Sequence, residues 1–263
     1  MKKIEDYLSL KGKVAVVTGG RGILGHEFVN ALRLAGAKVA VLDHKKGTPT
    51  HQPDLMYFNA DVSKKKEVQK AFRSILFKLG SPSILVNCAA IDAPPSSTND
   101  APSGLLESDA DEAAYDRVMD VNVKGTILCC QIFGSHMEKI GGGSIINISS
   151  IYGRISPDQR IYRKGDKQDF FKPLSYCVSK ACIPQVSRYF ATYFKKVRTN
   201  TLTFGGVFNN QDFEFVNKYS AKVPLGRMAN RNEYCLAVLA LASDSMSYMN
   251  GADVVIDGGY TVW

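Results

Sequence analysis

Two side chains four positions apart, Tyr176 and Lys180 in Leu174-Ser175-Tyr176-Cys177-Val178-Ser179-Lys180, are the residues whose types and spacing most directly suggest chemistry. On a helix, residues i and i+4 share a face, so an ammonium lies beside a phenol and favours its ionised form. A phenol with a lowered pKa exchanges a proton with a hydroxyl or carbonyl at neutral pH. The same spacing recurs at Tyr7 and Lys11. That second pair precedes the first predicted strand, near its amino end, whereas open α/β sheets bind ligands outside the carboxyl ends of their strands. Position therefore selects Tyr176 and Lys180.

A frame must bring such a pair to a sheet edge, and the sequence predicts one. Apolar runs alternate with helical periods from beginning to end, the pattern of an α/β fold. Strands are expected at residues 13–18, 38–42, 56–58, 83–86, 144–148, 198–203 and 253–256. Helices are expected at 23–35, stopped by Gly36; from a Ser63 cap to about Leu79; at about 112–139, ended by Gly141-Gly142-Gly143; around Tyr176, running to about Lys196; and at about 232–242. Residues 92–108, rich in Pro, Ser and Asp, read as a surface loop, as does the segment from the sixth strand to Pro224. With no repeat or linker, residues 1–263 read as one doubly wound Rossmann domain. Its seven-stranded sheet is mainly parallel, with helices on both faces.

The first strand runs into Thr18-Gly19-Gly20-Arg21-Gly22-Ile23-Leu24-Gly25. Glycines between a strand and a helix let the backbone approach a pyrophosphate, which the helix amino terminus stabilises through its free N–H groups and dipole. Gly19, Gly22 and Gly25 are placed for this, with Arg21, Ile23 and Leu24 in the same turn. Asp43 ends the second strand 24 positions after Gly19, where a carboxylate accepts bonds from an adenosine ribose and repels a 2′-phosphate. Asp43 favours NAD over NADP; Arg21, which could attract a phosphate, keeps NADP open. Asp61 and Val62 after the third strand, and Asn87 and Ala89 after the fourth, share this carboxyl edge, where they either contact an adenine or simply make turns.

Composition narrows the field. A chain of 263 residues, 45% apolar and 22% charged, fits one large α/β domain. The first residues carry no long apolar stretch behind their lysines, and no run of about 18 apolar residues occurs, so neither a secretory signal nor a membrane span is expected. The six cysteines lack Cys-x-x-Cys spacing, which suits reduced thiols in the cytoplasm. The four histidines form no ligand cluster, so no metal is expected. The net charge of +8 is scattered rather than gathered into one basic motif, which argues against nucleic acid and for a small anionic molecule as partner.

Taken together, these residues resemble the short-chain dehydrogenase/reductase family over nearly the whole chain. Residues 18–25 match its glycine turn, Asn87-Cys88-Ala89-Ala90 its Asn-Asn-Ala-Gly segment and Asn122 its helix asparagine. Asn147-Ile148-Ser149-Ser150 matches the serine motif, Tyr176 and Lys180 the catalytic pair, and Asp257-Gly258-Gly259 the carboxyl-terminal signature. The resemblance implies that Tyr176 is the general acid/base. Lys180 would lower its pKa and hold the nicotinamide ribose, Ser150 would bond the reacting oxygen, and Asn122 would hold a proton-relaying water. Gly205 and Val207 complete the implied cofactor contacts, and a homotetramer or homodimer is implied. Each residue also has a plainer role: a strand-end cap for Ser149 or Ser150, a buried amide for Asn122, a packed aromatic for Tyr176. The chain departs from the family at Ala90, at Phe204 where a proline usually precedes Gly205, and in a glycine spacing closer to the extended, epimerase-containing branch.

The largest departure is the gap of 26 positions between Ser150 and Tyr176, about twice what the family commonly shows. Residues 154–172 form an inserted segment with six basic and three acidic residues, tethered beside catalytic groups at both ends. It is expected at the substrate mouth, where Tyr152, Arg154 and Arg160 are candidate contacts to a phosphate or carboxylate, or else to be a solvated loop or subunit contact. Ser150-Ile151-Tyr152-Gly153 and Pro157-Asp158-Gln159-Arg160-Ile161-Tyr162 also resemble a bacterial subgroup associated with flagellin and surface-glycan sugar biosynthesis. The expected activity is NAD(P)-dependent hydride transfer to or from a secondary alcohol or ketone on an anionic sugar or sugar nucleotide. The rivals are an acyl-carrier ketoreductase and a non-catalytic nucleotide sensor.

Overall fold

Apolar runs such as Val14 to Val17 and Ile84 to Val86 need cover on both faces, and here they form central strands of a sheet. In the computed structural model, which describes residues 3–45, 52–92, 112–168 and 170–263, a short helix α1 (Ile4–Tyr7) precedes β1 (Val14–Thr18), α2 (Ile23–Leu34) and β2 (Lys38–Asp43). There follow β3 (Leu55–Asn59), α3 (Lys65–Lys78) and β4 (Pro82–Asn87). Helix α4 (Glu112–Met119) passes through a π-helical turn (Asp120–Gly125) into α5 (Thr126–Lys139) and then β5 (Gly143–Ser150). The chain finishes with α6 (Leu174–Tyr193), β6 (Val197–Phe204), α7 (Phe213–Ser220), α8 (Cys235–Ala242) and β7 (Asp253–Ile256).

The seven strands make one sheet in the order β3-β2-β1-β4-β5-β6-β7, and every neighbouring pair is parallel. Strand order reverses between β1 and β4, the switch point at which ligands bind in doubly wound sheets. Along β1 the period of two divides the core. Ala15 and Val17 pack with Phe28 and Leu32 of α2, while Val14 and Val16 join Ile75 of α3 and Phe133 of α5 on the opposite face.

Three expectations change. Ser63 does not cap α3, whose N-cap is Lys64; its hydroxyl donates to Asp61 Oδ1 at 2.7 Å, and its N–H donates to the same oxygen at 2.9 Å, which holds Ser63 in the turn before the helix. The segment before Pro224 contains α7, opened by the Asp212 carboxylate accepting from Phe215 N at 3.0 Å. The single helix expected over 112–139 carries the π turn. Of the loop expected at 92–108, all but Asp92 lies outside the described residues. Lys11 packs against Gly36, just before β2, which places the Tyr7–Lys11 pair at the amino end of the sheet. Among the described residues, no helix is long and apolar enough to cross a membrane.

Candidate active site

The carboxyl ends of β1, β2, β4, β5 and β6 open onto a cleft of about 990 Å³. At one end lies the glycine turn. Gly19 has φ +66°, and a Cβ on it would meet Ala89 Cα at 2.7 Å. At Gly25 a Cβ would stand 2.2 Å from the Gly19 carbonyl oxygen, so only glycine lets α2 start this close to β1. The Thr18 hydroxyl ties the turn to β4 by accepting from Cys88 N and Ala89 N, each at 3.1 Å. Beside the turn, the buried Asp43 carboxylate accepts from Arg21 N and Lys45 N at 3.0 Å each. The Arg21 side chain stacks 3.9 Å from the Tyr57 ring centroid and does not line the cleft. Of the predicted cofactor contacts, Gly19, Gly22, Ile23, Leu24, Asp43, Asp61, Val62, Ala89, Gly205 and Val207 all line it.

At the middle of the cleft, β5 and α6 meet. Tyr176 and Ser150 both line the cleft here, and Lys180 Nζ donates to Ile148 O at 2.9 Å. Pro184 lies inside α6. Having no N–H, it leaves the Lys180 carbonyl, four residues earlier, without its helical donor. The Ser149 hydroxyl fills that place at 2.8 Å. Ser149 therefore binds α6 to β5, leaving Ser150 to face the cleft.

The electrostatics differ from the sequence expectation. Burial pushes the Tyr176 phenol well above its ordinary value, Asp92 adds to the rise, and the neighbouring Ser150 hydroxyl opposes it. Burial also pushes the Lys180 ammonium down. Lys180 Nζ stands 5.9 Å from the Tyr176 ring centroid, so in this arrangement desolvation outweighs the neighbouring cation.

Asn122 and Asn87 do not reach the cleft. Asn122 sits in the π turn, 1% exposed. Its Oδ1 accepts from Ile91 N at 2.7 Å, and its Nδ2 donates to Ile91 O at 3.1 Å and to Ser179 Oγ at 2.9 Å. It clamps the loop that carries Ile91 and Asp92 into the cleft. Asn87, expected at the cofactor, donates to Asn147 Oδ1 at 2.8 Å inside the sheet; its inward direction at the end of β4 decides this.

The insertion forms a wall whose interior is aromatic. Tyr152, Ile161 and Tyr162 pack with Phe215, Tyr219 and Met228 from α7 and the segment after it, and with Tyr260. Tyr162 stacks on Phe215 with centroids 5.5 Å apart, and its hydroxyl bonds that of Tyr152 at 3.1 Å. Tyr152, Tyr162, Phe215, Tyr219 and Met228 line the cleft. Arg154 and Arg160 do not: Arg154 pairs with Asp253 on β7 at 2.7 Å, and Arg160 with Asp158 at 2.8 Å. Asp158 also holds Lys222 at 2.6 Å. Lys172 is the insertion's basic residue that lines the cleft; buried, it forms an ion pair with Asp92. Neither Lys172 nor Asp92 stands out in the sequence, where one is a lysine among six basic residues and the other opens a polar loop.

Comparison with known proteins shows what the chain resembles as a whole. A family model described as enoyl-(acyl carrier protein) reductase matches residues 19–261. The chain is 31% identical to a D-threitol dehydrogenase of Mycolicibacterium smegmatis over 96% of its own length and 94% of that protein. It is equally 31% identical to a galactitol 2-dehydrogenase of Rhizobium johnstonii, over 98% and 99%. Among solved structures, a short chain dehydrogenase from Leptospira borgpetersenii with bound NAD+ superposes with a TM-score of 0.84 at 31% identity, covering 99% of this chain and 96% of that one.

Proposed function

Because the chain belongs to the short-chain dehydrogenase/reductase family, we propose that it is an NAD-preferring dehydrogenase interconverting a secondary alcohol and a ketone on a polyhydroxylated carbon chain. One observation carries this reading: Ser150, Tyr176 and Lys180 together line a cleft that has the glycine turn at one end and a wall containing phenols at the other.

The residues at the turn fit a dinucleotide, since Gly19 and Gly25 leave backbone where any Cβ would collide, and Asp43 presents a buried carboxylate beside them. Gly19, Gly22, Ile23, Leu24 and Asp43 would hold it, with Lys180 toward the ribose. When bound, a nicotinamide cofactor supplies hydride transfer at the substrate carbon. In alcohol oxidation Tyr176 accepts the proton of the substrate hydroxyl, and in reduction it returns that proton to the forming alkoxide. Ser150 donates a hydrogen bond to the same oxygen and stabilises the charge that develops there. Lys180 supplies positive charge that favours the phenolate and opposes part of the effect of burial. Asn122 acts at one remove, by holding Ile91 in place.

The balance of charge supports a neutral polyol or sugar. Arg154 and Arg160 are neutralised by carboxylates away from the cleft, and Lys172, which does reach it, is paired with Asp92. The named relatives act on threitol and galactitol. An anionic or nucleotide-linked sugar, as in surface-glycan synthesis, is the finer alternative, favoured by Lys45 and Lys64 along the cleft. A cytoplasmic homo-oligomer completes the proposal.

The test is initial-rate NADH formation over a panel of sugar alcohols, their phosphates and an acetoacetyl thioester run in reverse. Turnover of polyols that Tyr176→Phe abolishes, with NAD binding retained, supports the mechanism. Full activity in Tyr176→Phe would overturn it, and turnover of the phosphates alone would replace the neutral substrate with an anionic one.

A further inference from the structure

The lysine of the Tyr176 motif is not the one nearest the Tyr176 ring. Lys172 Nζ lies 4.3 Å from that ring's centroid, against 5.9 Å for Lys180. It also stands 6.0 Å from the Tyr152 ring. Lys172 is 7% exposed, and the Asp92 carboxylate that pairs with it comes from the segment after β4, 80 positions away in sequence. The backbone around it is fixed as well, since Lys172 N donates to Gln159 Oε1 at 2.8 Å and Gln159 Nε2 donates to Lys172 O at 3.2 Å. An ammonium held over an aromatic face and paired with a carboxylate is a built arrangement rather than a solvated side chain.

We propose that Lys172 is a second positioning cation for Tyr176, seated by Asp92, through which the inserted segment sets the proton affinity of the catalytic phenol. The proposal rests on Tyr176 being the proton carrier. The groups facing that phenol come from every element around it: Lys180 and Cys177 on its own helix, Ser150 on β5, Tyr152 beyond it, Lys172 and Tyr162 on the insertion, and Asp92 after β4. Among these Asp92 is the anion and raises the phenol; Lys172 and Lys180 are the cations near its ring. A cation stabilises phenolate and an anion destabilises it, so the two members of the pair must act in opposite directions.

That opposition gives the test. The Tyr176 phenolate is titrated by ultraviolet difference spectroscopy, subtracting the Tyr176→Phe background, in the full-length protein, and in parallel the pH profile of alcohol oxidation is measured. Lys172→Met should raise the apparent pKa by about one pH unit and Lys172→Arg should restore it, while Asp92→Asn should lower it by a similar amount. The double variant Lys172→Met/Asp92→Asn, which removes both charges together, should titrate near the wild type. Single variants that move together, or leave the titration unchanged while kcat falls, would overturn the proposal, since a purely structural wall behaves that way. The titration needs no substrate, so shifts in the expected directions without any dehydrogenase turnover would refute the proposed function and leave this inference standing.

Discussion

Asn122 offers the sharpest separation of a structural from a chemical role. In Asn122→Ala, Ile91 loses the acceptor for its N–H and the donor to its carbonyl, bonds of 2.7 and 3.1 Å. Ser179 is spared, because its hydroxyl still donates to Tyr176 O at 2.7 Å. An unsatisfied buried backbone group costs about 1–3 kcal/mol. Ile91 is only half-buried, so water reaches part of the site, and the sum for the two groups should be about 2–3 kcal/mol. For a chain of this size that is a fall in Tm of roughly 5–10 °C. The released loop carries Ile91 and Asp92, so kcat should fall as well. Thermal unfolding by calorimetry, paired with kcat on the same preparations, checks both. If kcat is lost while Tm stays within about a degree of the wild type, the clamp is not what Asn122 contributes, and direct participation in proton transfer takes its place.

Two further outcomes can be stated. Asp43→Ser removes the negative charge beside the turn while keeping one acceptor for Arg21 N or Lys45 N; the ratio of the Kd for NADP to that for NAD should fall about tenfold by calorimetric titration, and an unchanged ratio would remove Asp43 from cofactor selection. Arg160 and Lys222 hold the Asp158 carboxyl below the usual carboxylate range. A depressed carboxylate stabilises above its unfolded value of about 4 and loses that contribution as pH falls. Hydrogen exchange of residues 158–168 should therefore quicken in acid, and Asp158→Asn should show the faster exchange already at neutral pH; equal protection in the two proteins would refute the anchor.

Much of this was legible in the sequence, and the residues show why. Val14 to Val17 and Ile84 to Val86 are apolar runs buried on both faces, and the pattern that marks a strand is local. The glycine turn, Asp43 and Ser150 lie at strand ends, so their gathering at one edge follows from strand order, and Tyr176 opens the helix that returns to that edge. Side-chain pairing is different. Arg154 finds Asp253 across 99 positions and Lys172 finds Asp92 across 80, and no local pattern says which carboxylate neutralises which cation. The six basic residues of the insertion could be counted, but where their charge was spent could not. Helix α7 was the exception: Asp212 before Phe213, Phe215 and Val216 was a readable cap and apolar stripe.

The Pro184 break has a consequence for how the site can change. A helix that gives one of its carbonyls to a hydroxyl of the neighbouring strand moves with that strand. Through Ser149 and Lys180 O, α6 and β5 share such a bond, so thermal motion should carry Tyr176 and Ser150 as one piece. The insertion leaves the strand just after Ser150 and rejoins the helix just before Tyr176, outside that bond. Substitutions in the wall can then explore new substrates while the distance between proton carrier and oxygen-binding hydroxyl stays fixed. The proline that a helix would ordinarily reject is what lets one part of the molecule vary while the other holds still.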